Sequence, residues 1–442
     1  MVATTHAQAE TDATTTAEIK ALRHELDLQR RVTRKLEKRI DHLATRAHHD
    51  RLANVKSPPP STVRSLPNAG YDNGFFIRDT PSNFSLNING LLQARFTHFA
   101  TENTAAFGAV DHTSNNFDVY LGRLYFSGNV VDPSIRYWFT LQGTTVANGS
   151  GITLLDAEVS KTFNPFLTVE AGRFWSAYTY EYYVSIGKYL FPDLSAAEWA
   201  FSLGRQIGVR ASGKADKLGY SLSVTNSVPG SDVGFTENTR SQLATVLHLD
   251  YDILAPYGYQ ETDPNPAGVR SPELSLWASG MYNDVAYASA FQNDQAGDKT
   301  FGGTASLNFR YGFLSFQGSA YFKATEANRG ALTPHGAFNS YGWQEQLGYY
   351  LLPGRLEIAE RVDQVNWGAP QIPFAGGSQS QWYPGPTNFP YKQLTEMTGG
   401  INYYFAGHYA KVQGEYSYMP GIGFNGKTFN GQRLLVQTQV QF

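Results

Sequence analysis

Charged residues recur at alternate positions along most of this chain, in segments whose intervening positions are apolar. The basic members of the set are Arg95, Arg136, Arg210, Arg240, Arg310, Lys323, Arg355, Arg361, Lys411 and Arg433. The acidic members are Asp118, Asp156, Glu158, Glu170, Asp250, Glu273, Glu357, Asp363, Glu396 and Glu415. Guanidinium and ammonium groups can replace the hydration shell of an anion such as phosphate. Because bases and acids are equal in number, the set has no net charge, and any one base could instead brace a wall through an ion pair.

A second group of candidate residues is aromatic and lies within residues 176–203. Its members are Tyr178, Tyr180, Tyr182, Tyr183, Tyr189, Phe191, Trp199 and Phe201, and Lys188 is the only base of the segment. Aromatic faces can stack on sugar rings or other organic solutes, although they can equally pack a loop against its surroundings. We predict that this segment forms a constriction, with Tyr180, Tyr183, Lys188, Tyr189 and Trp199 at its surface.

Enzyme motifs are absent from the sequence. There is no G-x-S-x-G, no H-E-x-x-H, no P-loop and no Cys. His248 and Asp250 are two residues apart, so both should face the lumen. The His48-His49-Asp50 run could hold a metal, but solvated side chains are the simpler interpretation of that run. The sequence therefore predicts no enzymatic activity, no cofactor and no metal site. The net charge of -3 gives no reason to expect a nucleic-acid partner.

The elements that must position these residues are β-strands. In the last residues, Leu434, Val436, Thr438, Val440 and Phe442 alternate with polar glutamines. Such period-two alternation is typical of a strand with one apolar and one polar face. An aromatic residue at the very end of such a strand resembles the closing strand of bacterial outer-membrane barrels.

The same alternation repeats throughout residues 84–442. Sixteen candidate strands begin near Phe84, Asn116, Ser134, Ile152, Leu167, Arg205, Leu218, Arg240, Glu273, Thr300, Phe313, Tyr341, Arg355, Lys392, His408 and Arg433. No window is apolar enough for a transmembrane helix. The sequence therefore predicts an all-β membrane protein, a transmembrane antiparallel β-barrel of about sixteen strands with its polar face lining a water-filled pore. The predicted pore-lining residues are Arg95, Arg136, Arg210, Arg240, Arg310, Lys323, Arg361 and Arg433.

The first 83 residues follow a different pattern. Residues 1–16 include Ala7-Gln8-Ala9, which fits either the remnant of a signal peptide or a disordered terminus. Residues 17–51 contain neither Gly nor Pro and place apolar residues on heptad positions, which predicts an N-terminal α-helical coiled coil. A single amphipathic helix is the alternative. Residues 52–83 form a Pro-rich linker that leads into the barrel.

Several segments resemble the phosphate-selective porins of the O and P type. They are GYDNGFFIRD (70–79), FSLNINGLLQ (84–93), RLYFSG (123–128), PFLTVEAGRF (165–174) and GRQIGVRASG (204–213). The resemblance implies a homotrimer of 16-stranded barrels among the lipids of a Gram-negative outer membrane, with pores narrowed by inward-folded loops. Some members of that family also carry a periplasmic N-terminal coiled coil, and residues 17–51 would take that place here.

Two functions are compatible with these patterns. In the first, the protein is an outer-membrane porin that allows passive diffusion of small hydrophilic solutes, including anions such as phosphate. In the second, it is an envelope structural protein whose periplasmic coiled coil tethers the outer membrane to peptidoglycan or another cell-wall polymer. Basic residues exceed acidic ones in residues 17–51, which would suit an anionic polymer.

Overall fold

The computed structural model describes residues 68–79, 83–103, 111, 113–145, 151–226, 242–265, 269–284, 298–327, 336–368 and 391–442. The predicted coiled coil at 17–51 and most of the linker lie outside the described residues. Within them the chain forms eighteen strands in one sheet and two short α-helices. None of the helices in this part of the chain is long and apolar enough to cross a membrane.

Sixteen of the strands, β3 to β18, form a closed antiparallel barrel. They are β3 Ser85–Glu102, β4 Thr113–Val130, β5 Asp132–Thr144, β6 Gly151–Asn164, β7 Leu167–Trp175, β8 Arg205–Ala215, β9 Leu218–Asn226, β10 Leu243–Asp252, β11 Val269–Asp284, β12 Lys299–Gly312, β13 Leu314–Ala327, β14 Gly336–Leu352, β15 Leu356–Asn366, β16 Tyr391–Tyr404, β17 Ala410–Gly423 and β18 Thr428–Gln441. Each strand pairs with the next along the chain, and β18 pairs with β3. The predicted 16-stranded antiparallel barrel is confirmed.

The two faces of the barrel wall follow the alternation of the sequence. On β18, Leu434, Val436 and Val440 are exposed on the outer face, whereas Gln437 and Gln439 are buried on the inner face. The same division holds on other strands, and large apolar side chains are exposed all round the outside. A protein surface of this kind suits a hydrocarbon environment better than water.

The connections between strands differ at the two rims of the barrel. Those joining β4 to β5, β6 to β7, β8 to β9, β12 to β13, β14 to β15 and β16 to β17 are only a few residues long. They share one rim, here called the short-turn rim, with the start of β3 and the end of β18. Phe442 closes the wall there, because its backbone N–H donates to the carbonyl of Gly90 at 3.0 Å. A side chain at position 90 would collide with the Phe442 ring, so glycine is needed.

A small hairpin, which the sequence pattern did not predict, precedes the barrel. Its strands are β1, Ala69–Tyr71, and β2, Phe75–Arg78. β2 pairs with residues 85–88 of β3, just beyond the stretch of β3 that pairs with β18. The ring of Phe75 lies 6.0 Å from that of Phe442 in an edge-on contact. The hairpin was missed because each strand is too short to show alternation.

Two connections fold into the barrel instead of staying at a rim. The first, residues 176–204 between β7 and β8, is called the insertion and contains α1, Tyr180–Tyr183, and α2, Ala196–Phe201. The second, residues 253–265 between β10 and β11, is called the rim segment, because it starts from the short-turn rim. It is the exception to the short connections there, and the strand alternation did not reveal that it turns inward.

Candidate functional site

The insertion is held against one side of the inner wall by an apolar cluster. Phe201 of α2 stacks in parallel between Tyr321 and Trp367, with ring centroids 5.4 and 6.0 Å away. The cluster consists of Phe99, Ala196, Ala197, Ala200, Phe201, Tyr321, Val365, Trp367, Leu394, Met419 and Phe429. The prediction that all inward-facing positions are polar is therefore wrong for this patch. Apolar residues are tolerated there because α2, and not water, covers them.

The start of α2 is fixed by a serine of the insertion and by carboxylates of the wall. Ser195 caps the helix, since its side chain accepts a hydrogen bond from the Glu198 N–H at 3.0 Å. The N–H of Ala196 donates to Glu396 at 3.3 Å, and that of Ala197 donates to Asp363 at 3.1 Å. Acidic groups suit this position because the N-terminus of a helix carries partial positive charge.

Arg361 lies at the centre of a buried charge cluster beneath α2. Its guanidinium donates to the carbonyl oxygen of Asp193 at 2.8 Å, which ties β15 to the insertion. Carboxylates surround it, with Glu181 at 3.7 Å, Asp363 at 3.8 Å and Glu396 at 3.9 Å. These contacts hold the insertion in place. Arg361 is only 1% exposed, so it has no contact with open water.

Two further arginines complete this cluster. Arg433 on β18 pairs with Glu396 at 2.8 Å and with Glu415 at 3.1 Å, and lies 3.7 Å from Asp193. Arg95 on β3 pairs with the same Asp193 at 3.5 Å and donates to the carbonyl oxygen of Pro192 at 2.6 Å. Both side chains are almost completely buried. Arg95, Arg361 and Arg433 therefore act as anchors of the insertion in this structure.

The other predicted pore-lining bases occupy different environments. Arg310 pairs with Glu273 at 2.6 Å and donates to the carbonyl oxygen of Gln260 in the rim segment. Lys323 is buried beside the ring of Trp367. Arg210 pairs with Glu170 at 2.8 Å. Arg136 is exposed on the inner wall, Arg355 lies in the turn between β14 and β15, and Arg240 lies outside the described residues. The role of these residues in lining a pore stays a prediction.

The rim segment meets the insertion inside the barrel. The N–H of Leu190 donates to the Glu261 carboxylate at 2.6 Å, and the Tyr180 hydroxyl donates to the carbonyl oxygen of Gly258 at 3.1 Å. Thr262 in turn donates to Glu357 of the wall at 2.6 Å. The barrel is thus filled from both rims on the side formed by β10 to β18 and β3.

The predicted constriction residues divide into packed and accessible side chains. Tyr180 and Tyr189 are buried in a cluster with Tyr257 and Trp277, so they pack the two segments together. Tyr183, Lys188 and Trp199 are half-buried. Only these three of the predicted five present surface to the lumen, and whether they form its narrowest point stays a prediction.

The opposite side of the inner wall, on β4 to β7, is open over the half nearer the short-turn rim and covered farther along, where Leu121, Thr140 and Asp156 are buried. Arg136 is exposed there, Trp138 is 36% exposed, and Tyr125 and Glu158 are half-buried. The rings of Tyr125 and Trp138 lie 5.8 Å apart. Arg123 faces the same side but is buried, at 6% exposed, and donates to Gln142 at 2.7 Å. A water-filled path can therefore enter along the half of these strands nearer the short-turn rim.

Arg123 was missed by the sequence analysis because of a β-bulge. Leu121 pairs with Gln93 and Val119 pairs with Ala94, which leaves Tyr120 as an extra residue of β4. Beyond such an extra residue, the inward-facing positions change from even-numbered to odd-numbered residues. Asp118 and Arg123 therefore both face inward although their numbers differ in parity.

His248 and Asp250 are joined by a third residue that the sequence did not single out. His248 Nε2 lies 3.0 Å from Asp250, and its Nδ1 lies 3.1 Å from the Ser279 hydroxyl. That hydroxyl donates to the carbonyl oxygen of Ala177, so its proton is directed at the insertion and not at His248. His248 and Ser279 are also buried, with the Trp277 ring 3.7 Å from the His248 ring. The group braces the wall against the insertion, and its serine is not presented to a substrate.

Comparison with solved structures identifies the architecture. The chain superposes on Salmonella typhi OmpF, solved with daunomycin, with a TM-score of 0.52 at 12% identity, covering 85% of this chain and 100% of that chain. It matches Pseudomonas putida OprB at high pH with a TM-score of 0.51 at 9% identity, covering 82% and 95%. It matches an anion-selective porin from Comamonas acidovorans with a TM-score of 0.50 at 12% identity, covering 81% and 100%. The chain has the porin fold.

Sequence comparisons do not narrow the porin fold to one family. No family model and no curated protein matches the chain. The resemblance to phosphate-selective porins therefore stays a prediction, and so does phosphate as the solute.

The pKa values of two carboxyl groups in the inward-folded segments predict that the packing of the insertion depends on pH. Burial, assisted by the charge of Glu181, raises the pKa of Glu198 and of Glu261 from 4.5 to about 8. The packed insertion therefore binds more protons than a released one. The contribution of these two groups to its stability should be greatest at acid pH, fall as the pH rises from 4.5 to about 8, and level off above that.

We expect the release to appear in planar-bilayer recordings as larger and noisier conductance steps at pH 9 than at pH 6. Glu198→Gln keeps that side chain neutral and should reduce the difference. Larger steps at acid pH would contradict the assignment of these two carboxyl groups.

Proposed function

We propose that the protein is a porin of the Gram-negative outer membrane that allows passive diffusion of small hydrophilic solutes. The observation that carries the proposal is the division of the barrel interior. One side is filled by the insertion and the rim segment, and the other keeps charged and aromatic side chains exposed. The apolar outer face supports a location in lipid, as a transmembrane barrel requires. DcaP of Acinetobacter baumannii, described as an outer membrane channel, shares the fold with a TM-score of 0.50 at 11% identity, covering 83% of this chain and 99% of that chain.

A mild preference for anions is the second part of the proposal. Arg136 is exposed on the open side, and no ion pair joins it to a carboxylate among the described residues. Arg123 also carries a charge on this side, but it is buried against Gln142. An anion entering this path would find the guanidinium of Arg136, which is not already neutralised by direct contact. Glu158 lies on the neighbouring strand, opposite Trp138, and limits the preference.

Reversal potentials in a planar bilayer under a potassium chloride gradient test both parts. We expect measurable conductance with weak anion preference, and a partial reduction of the chloride current when phosphate is added. The variant Arg136→Gln should lose the preference, while Arg355→Gln, which changes an exposed arginine in a turn, should keep it. A barrel that inserts but conducts no ions would contradict the porin assignment, and an unchanged reversal potential in Arg136→Gln would contradict the role of that arginine.

We also propose that the protein is a homotrimer and that the part of the chain before the barrel forms a periplasmic coiled coil. A three-stranded coil below three barrels would place both on one symmetry axis. Deletion of residues 1–60 should then weaken the trimer in detergent, and binding to purified peptidoglycan should be lost with it if the coil also contacts the cell wall. Full retention of both would remove the coil from either role.

A further inference from the structure

Four aromatic side chains from different elements converge beside the open path. Tyr183 of the insertion lies 5.3 Å from Tyr259 of the rim segment, with the two rings at 74°. Trp175 at the end of β7 lies 6.3 Å from Tyr183, again nearly perpendicular. Trp277 supports both tyrosines from behind, at 5.3 Å and 6.4 Å. We call this group the aromatic corner.

The aromatic corner is accessible although its base is buried. Trp277 is 2% exposed, so it belongs to the packed core of the two segments. Tyr259 is 49% exposed, and Tyr183 and Trp175 are half-buried. Tyr259 is not one of the residues packed in the apolar clusters. The packing thus fixes the rings in place and leaves the Tyr259 ring largely accessible.

Hydrogen-bonding groups of both kinds border the corner. Arg210 contacts the corner directly, because its guanidinium lies 5.9 Å from the Tyr183 ring and donates to the carbonyl oxygen of Trp175 at 2.7 Å. Glu170 pairs with Arg210, and Glu158 lies on the adjacent strand β6. Asp250 on β10 lies directly opposite Trp277 in the sheet. A ligand in the corner would find donors and acceptors side by side.

We propose that the aromatic corner is a binding subsite for a pyranose sugar, which names a substrate class for the proposed porin and rests on that function. A sugar ring has an apolar face that stacks on an aromatic side chain, and hydroxyls that both donate and accept hydrogen bonds. An anionic solute would meet Glu158, Glu170 and Asp250. A cationic solute would compete with guanidinium groups that already face the rings, since Arg205 lies 5.0 Å from Trp175.

The decisive comparison uses glucose and mannitol, which are alike in size and hydroxyl content but differ in having a ring. In planar bilayers, glucose should reduce the ion current of the wild-type channel more than mannitol does at equal concentration. Tyr259→Ala should weaken glucose binding about five- to tenfold, as expected for the loss of one aromatic face. Tyr259→Phe, which keeps the ring, should retain it. Tyr349→Ala removes a tyrosine of similar exposure from the outer face, 45%, and should change nothing.

A second measurement separates failure of the subsite from failure of the porin assignment. Trp175 is part of the corner, so titration of the detergent-solubilised full chain with glucose should change the tryptophan fluorescence, whether or not the protein conducts. A fluorescence response that Tyr259→Ala removes supports the subsite even if no current is found. Equal effects of glucose and mannitol in both assays would overturn it, and so would binding of choline in place of glucose.

Discussion

Replacing Arg361 with methionine should release the insertion from the wall and raise the single-channel conductance severalfold. Met fills much of the same volume but leaves Glu181, Asp363 and Glu396 buried without their shared cation. Breaking a buried ion-pair cluster by removing one partner costs about 3–5 kcal/mol. The barrel can avoid this cost by letting the insertion move away, because water then reaches the carboxylates. The strands keep their backbone hydrogen bonds, so the barrel itself should remain folded.

Planar-bilayer recordings measure this effect, with folding checked by the mobility of unheated protein in gel electrophoresis. Arg355→Met is the matched control, because Arg355 is exposed in the turn that precedes the same strand. It should leave both conductance and folding unchanged. A folded Arg361→Met barrel with wild-type conductance would show that the apolar cluster around Phe201 holds the insertion without help from the charge cluster.

Phe139→Arg should strongly impair assembly of the barrel in lipid, whereas Trp138→Arg should not. The two residues are neighbours near the middle of β5, but Phe139 lies on the apolar outer face and is 43% exposed. Trp138 faces the lumen. An arginine on the lipid face near the centre of a bilayer costs about 2–4 kcal/mol, while one on the lumen face can remain hydrated. The pair therefore tests the proposed membrane location by placing arginine at two adjacent positions that face opposite sides of the wall.

Folding into vesicles at increasing urea concentration measures the difference between these two variants. The unfolding midpoint of Phe139→Arg should fall clearly below that of the wild type, and that of Trp138→Arg should stay near it. Similar midpoints for the two variants would contradict a lipid-facing position for Phe139. Loss of the aromatic contact with Tyr125 could lower the Trp138→Arg midpoint slightly, and Trp138→Phe measures that contribution.

The anchoring role of the buried arginines changes the meaning of the charge pattern in this chain. Equal numbers of bases and acids on the inner face are consistent with either a neutral pore or a braced wall. Contacts such as Arg433 with Asp193 and Arg95 with Asp193 show that much of this charge serves to attach the insertion. The residues left for solutes are fewer, and Arg136 and Glu158 are prominent among them. Selectivity should therefore respond to these positions more than to the arginines of β15 and β18.

The sixteen strands of the barrel, and the face that most of their side chains occupy, could be read from the sequence alone. Alternation is a local property, because successive side chains of a strand point to opposite sides whatever lies beside it. The outward Val436 and inward Gln437 of β18 were assigned correctly for this reason. The method failed where the local rule is broken, as at the bulge of Tyr120, and where strands are as short as β1 and β2.

Only the tertiary structure decided what fills the barrel. The insertion could be recognised as too apolar for an exposed loop, but its partners are far away in sequence, as with Phe201 and Trp367 or Leu190 and Glu261. The inward path of residues 253–265 had no local signal, because it depends on contacts with the insertion. Local alternation thus determined the wall of this protein, and long-range packing determined which of its inward side chains are buried as anchors and which still face an open path.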